Sequence, residues 1–128
     1  MPHFLSLDDI LFIHRQEIRL SGGEPNIRDK DGVRACVDAP QATFGGDYLQ
    51  DIFGMAASYL TCLVIRHPFV DGNKRAALAS ALTFLYLNGY NVNEGTDLEL
   101  AQLVLDYLAK KKSKEDIVEH FRSKSVKR

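Results

Sequence analysis

Apolar residues return every three or four positions along most of this chain, and strict alternation is almost absent. That period is helical, and its punctuation marks the helix ends. Ser6 followed by Asp9 reads as a capping box, opening a helix with Leu7, Ile10, Leu11, His14 and Ile18 at helical spacing. The stretch SGGEPN ends it as a plain turn of two glycines and a proline. A short helix is predicted from Lys30 to Val37, stopped near Pro40. The stretch QATFGGD reads as an exposed loop or short hairpin, because Thr43 and Phe44 favour extended backbone and Gly45-Gly46 is a turn signal.

Asp47 is then expected to cap a long helix whose stripe is Leu49, Ile52, Phe53, Ala56, Tyr59, Leu60, Leu63 and Val64. The stripe runs into His67-Pro68, where proline discourages helical geometry in the residue before it. The next helix begins at Gly72 or Asn73 and runs to Asn88, with Gly89 as its stop. It is apolar almost all round, so it should be the central buried helix. Thr96 with Glu99, and Ser113 with Asp116, are further capping-box signals for helices near 97–111 and 114–123. The expectation is one all-α domain, residues 1–128, of about six helices.

Composition changes this picture little. The 128 residues suit a single core, and 45% hydrophobic with 26% charged residues argues against a disordered chain. A net charge of −1 gives no general attraction to nucleic acid or acidic membranes, and AKKKSK at 109–114 reads as a basic helix end with a solvated loop. The longest apolar run is too short to span a bilayer, and the N-terminus has no signal-peptide pattern. Cys36 and Cys62 show no metal-ligand or redox spacing and are expected to be reduced core thiols. These readings point to a cytoplasmic protein without direct nucleic-acid or membrane partners.

The chemistry is concentrated in HPFVDGNKRAAL, residues 67–78. A loop delivers the chain to a helix that starts with Gly72, Asn73, Lys74 and Arg75. The first four N–H groups of a helix lack internal partners and carry partial positive charge, which favours phosphate. Gly72 allows close approach to the backbone, and Lys74 and Arg75 add charges suited to phosphate oxygens. His67 is placed to take a proton from an attacking hydroxyl. Asp71 belongs in an anion site when a cation shares it, and Mg²⁺ bridging carboxylate and phosphate is the natural choice. Phe69 is expected to point into the core and pin the loop.

At these residues the chain resembles the Fic/Doc family, whose motif HxFx[D/E]GN[G/K]R is matched by His67, Phe69, Asp71, Gly72, Asn73, Lys74 and Arg75. PQATFGG and FLYLNGYNV extend the likeness to its death-on-curing branch, over roughly residues 5–120. The resemblance implies an α-helical fold with a small β-hairpin flap, formed here by Ala42, Thr43, Phe44 and Gly45, that aligns the target segment. It implies His67 as general base, Asp71 as the Mg²⁺ ligand, and Gly72, Asn73, Lys74 and Arg75 as the phosphate-binding set for ATP.

AMP-transferring members carry a glycine where this chain has Lys74. In the death-on-curing branch a lysine there goes with a reversed nucleotide that presents its γ-phosphate, so the resemblance implies phosphorylation, which rests mostly on positioning and electrostatic stabilisation. The resemblance implies a threonine of elongation factor Tu as target, arrest of translation, and a cognate antitoxin as partner. An internal [S/T]xxxE[G/N] inhibitory helix is not found, since YNVNEG at 90–95 begins with Tyr90. AMP transfer and a catalytically silent antitoxin-binding module are the competing readings.

Overall fold

A computed structural model describes residues 1–93 and 97–128 of the chain. Its helices are α1 (Leu7–Ser21), α2 (Lys30–Asp38), α3 (Ile52–Arg66), α4 (Asn73–Leu87), α5 (Asp97–Leu108) and α6 (Lys114–Lys124). A 3-10 turn, Ala39–Gln41, follows α2. Two antiparallel ribbons complete the described fold: β1 (Thr43–Phe44) with β2 (Asp47–Tyr48), and β3 (Tyr90–Val92) with β4 (Ser125–Lys127). The architecture is the expected all-α one with a hairpin at the predicted flap.

The core is built on α3 and α4, which pack most extensively against each other. Helix α6, α2 and the 3-10 turn cover α3, while α1 lies on α4. Tyr59, Leu60 and Leu63 of α3 and Ala76, Ala77, Ala81 and Phe84 of α4 are fully buried. Alanines on α4 let the two axes approach closely, which explains why an alanine-rich stretch follows the polar motif. Leu5 joins this core, its N–H donating to the buried Tyr59 hydroxyl at 2.9 Å.

The capping boxes at Ser6/Asp9 and Ser113/Asp116 are present as predicted. Thr96 of the third lies outside the described residues. Asp47, however, does not cap α3. It pairs with Phe44 in the hairpin, and the chain needs the next residues to turn before α3 can start. The cap is Asp51, whose carboxylate accepts from the Gly54 N–H at 2.8 Å. Leu49, assigned to the buried stripe by its spacing, is accordingly 64% exposed; its N–H donates to the Ala42 carbonyl and closes the hairpin.

The cysteines also depart from expectation. Cys36 on α2 and Cys62 on α3 form a disulfide, with Cα atoms 5.4 Å apart. Spacing along the chain carries no signal of this, because the pairing arises only when α2 docks across α3. The β3–β4 ribbon was equally invisible: three residues are too few for alternation to register, and the partner strand is at the far end of the chain. No helix among the described residues is long and apolar enough to cross a membrane.

Candidate active site

Helix α3 ends where Pro68 forbids its continuation, and His67 takes a left-handed conformation with φ 53°. For a residue with a Cβ this backbone costs about 1–2 kcal/mol, so neighbours must hold it there. They do so from two sides. Phe69 is fully buried and stacks on the His14 ring of α1, with centroids 3.7 Å apart. Asn73, in the first turn of α4, turns its carboxamide back onto Phe69, accepting from its N–H at 2.9 Å and donating to its carbonyl at 2.8 Å.

The second support begins in the segment read from sequence as a plain turn and runs on past it. Residues 22–29 run antiparallel to the motif loop, with Ile27 opposite Phe69. Arg28 and Asp29 N–H groups donate to the Pro68 carbonyl, and Val70 N–H donates to the Asn26 carbonyl. The Glu24 N–H donates to the Asp71 carboxylate at 2.9 Å. Arg28 reaches His67 itself, its guanidinium donating to Nδ1 at 2.6 Å and also to the His67 carbonyl. Nothing in the spacing of GGEPNIRD announces this, since the contacts join positions about forty residues apart.

The mouth of α4 has no side-chain cap. Asp71, just before this helix, does not cap it: one of its oxygens accepts from the Glu24 N–H. The leading N–H groups of α4 are therefore open to an anion. Gly72 sits at φ 80°, and a Cβ there would stand 3.1 Å from Ile18 Cδ1, so the close approach it permits is to α1. His14 Nε2 donates to the Asp71 carbonyl at 2.8 Å and fixes the loop from below. Arg75 donates to the carbonyls of Glu17 and Gly22, fastening the end of α1 to the motif. Lys74 is exposed and has no partner among the described residues.

His67, Val70, Asp71, Gly72, Asn73, Lys74 and Arg75 line one open cavity of about 320 Å³. The catalytic and phosphate-binding residues named from sequence, His67, Asp71, Gly72, Asn73, Lys74 and Arg75, thus surround one space, but they divide their work. Lys74 and the helix mouth face it freely, Asn73 lines it while its side chain clamps Phe69, and Arg75 braces as well as charges the wall. A larger cavity, about 480 Å³, begins at the flap with Ala42 and Leu49 and reaches Arg66, the neighbour of His67. Thr43, Phe44 and Gly45 are exposed at the hairpin tip, and Phe44 is 81% exposed. Among the described residues the two-stranded hairpin thus presents an unpaired strand edge beside bare aromatic surface.

The Fic/DOC family model matches residues 4–85, which include α1, the flap, α3 and the whole motif. This chain belongs to the Fic/DOC family. It is 37% identical to Toxin Doc of Mycolicibacterium smegmatis over 110 residues, covering 85% of this chain and 82% of that protein. It is 34% identical to Protein kinase doc of Escherichia phage P1 over 94 residues, covering 73% of this chain and 75% of the phage protein.

For a Fic/DOC protein the fit of a metal can be tested on the donor set. Among the described residues no group of three His, Cys, Asp or Glu side chains could hold a metal ion. Mg²⁺ keeps most of its ligands as water and phosphate oxygens and needs only one or two carboxylates, so Asp71 with a bound phosphate suits it. Burial holds the His14 imidazole below the usual histidine range, with the charges of Arg75 and Arg15 adding to the effect against the hydrogen bond to Asp71. The unfolded chain then takes a proton near pH 6.5 that the folded chain refuses. Stability from His14 is full above that pH and is lost as pH falls through the depressed value. The denaturation midpoint is expected to drop on acidification below about pH 6.5, and His14→Gln should flatten that slope. His120 is depressed by burial too, and its share should survive in the variant.

Proposed function

We propose that this chain transfers the γ-phosphate of ATP, in the presence of Mg²⁺, to a hydroxyl side chain of a target protein. The observation that carries the reading is the uncapped mouth of α4, with Lys74, unpartnered among the described residues, beside it and an imidazole on the rim of the same cavity. An anion site next to a base is what phosphoryl transfer to a hydroxyl requires. The names of the two relatives, a toxin and a protein kinase, support the same reading.

The roles follow from position. The α4 N–H groups, Lys74 and Arg75 bind and orient phosphate; Lys74 fills the space where a glycine favours AMP transfer. The target segment lies along the flap at Ala42, Thr43, Phe44 and Gly45. Its hydroxyl gives up its proton to His67 as oxygen bonds to the γ-phosphorus. The bond to the bridging oxygen then breaks, and ADP leaves with that electron pair. Asp71 would hold Mg²⁺, which supplies charge neutralisation on the phosphates when bound. In the toxin reading the target is a threonine of elongation factor Tu, translation stops, and a cognate antitoxin neutralises the chain in the cytoplasm.

The test compares label transfer in a bacterial lysate with Mg²⁺ from ATP labelled on its γ- or α-phosphate. Label from the γ position alone, absent with His67→Ala, is the expected result. Label from the α position would instead establish AMP transfer, and no His67-dependent label would favour a silent binding module.

A further inference from the structure

We propose that Arg28 is a positioning residue of this site: it holds His67 in its Nε2–H tautomer and surrenders the imidazole when phosphate arrives. The inference deepens the phosphotransfer reading and rests on it. A guanidinium has only donors and keeps its proton at any ordinary pH. Its contact with Nδ1 at 2.6 Å therefore requires Nδ1 to present a lone pair. The single proton of the neutral ring is then on Nε2, and Nε2 has no lone pair with which to accept one. Nor can the ring become doubly protonated while Arg28 stays, because two donors would face each other. With Arg28 in place, His67 cannot act as a base through either nitrogen.

The guanidinium is free to leave. Arg28 is exposed, and none of the ion pairs among the described residues involves it. Its acceptors are the neutral ring and the carbonyl of His67. The phosphate cavity begins at that same residue. A phosphate oxygen is a charged acceptor matched to the guanidinium fork, and it outcompetes a neutral imidazole lone pair. Once Arg28 turns to phosphate, the proton is free to reside on Nδ1 and the lone pair on Nε2. The base is thus armed by the substrate whose transfer it serves, and the empty site is inert.

The experiment reads the tautomer directly, by long-range ¹H–¹⁵N correlation of the His67 imidazole in the full chain. It compares the free protein with protein saturated by a non-hydrolysable ATP analogue and Mg²⁺. The free wild type should show Nδ1 unprotonated and Nε2 protonated, with the analogue reversing the two. Arg28→Ala should lose the preference in the free state and show little change on binding. Arg28→Lys, which keeps a charged donor but not the fork, should restore the free-state preference at least in part. In turnover, Arg28→Ala should raise KM for ATP about tenfold or more through the lost charge-assisted contact, with kcat within about threefold.

Backbone amide shifts of Gly72 and Lys74 report whether the analogue binds. Binding without tautomer reversal overturns the role of Arg28 and leaves the phosphotransfer reading intact. A free protein with the proton on Nδ1 overturns it as well. Failure of the analogue to bind overturns both.

Discussion

Replacing His67 by alanine is expected to slow phosphoryl transfer by about 10²- to 10⁴-fold while sparing fold and nucleotide affinity. The side chain is exposed, and its hydrogen-bonding partner among the described residues is Arg28. The loop is held by other groups: Phe69 in the core, Asn73 on the Phe69 backbone, and residues 26–29 along the opposite side. Removing the imidazole therefore removes a proton acceptor and little else. The anion-binding elements, Lys74 and the uncapped mouth of α4, remain as they were. The measurement is kcat at saturating ATP, with nucleotide Kd and thermal midpoint determined on the same preparations. A loss appearing in Kd or in the midpoint, with kcat preserved, would assign His67 to binding or to structure and remove it as the base.

The same distinction shows what could be read from the chain before its structure. Helices α1, α3, α4 and α6 were legible because periodicity and local punctuation encode them within a few residues: Ser6 with Asp9, Pro68, Gly89, Ser113 with Asp116. The motif was legible because its members are contiguous and their spacing places them at one helix start. Asp47 misled for a local reason: Asp51 is an equally good cap, and the hairpin decides between them. What stayed hidden depends on distant segments meeting. Arg28 on His67, Glu24 on Asp71, Arg75 on Gly22 and Cys36 on Cys62 each join parts of the chain that no period relates. SGGEPN, residues 21–26, looked like a turn because its glycines and proline are turn residues; the use of residues 22–29 as a wall follows from the docking of α1 on α4.

Asn73 is where that limit has the largest consequence. Its place in the motif assigned it to phosphate, whereas its carboxamide is committed at both ends to Phe69. Phe69 is fully buried, and the bridge with Ile27 runs through the flanking residues Pro68 and Val70, leaving its own N–H and carbonyl to Asn73. Asn73→Ala therefore strands a buried donor and a buried acceptor, each worth about 1–3 kcal/mol, and the expected loss of stability is about 2–4 kcal/mol. Asn73→Asp keeps an acceptor for the N–H but sets a carboxylate against the Phe69 carbonyl, so it should not restore stability. A urea midpoint for each variant, with KM for ATP at a temperature where both are folded, separates the two roles. A clamp predicts a lower midpoint in Asn73→Ala together with lost activity as His67 loses its fixed position. A side-chain phosphate ligand predicts a higher KM with the midpoint unmoved, and that result would return Asn73 to the binding set. Asn73 lines the cavity in either case, and its side chain is committed to Phe69, so the motif needs this asparagine for the shape of the loop that presents the base.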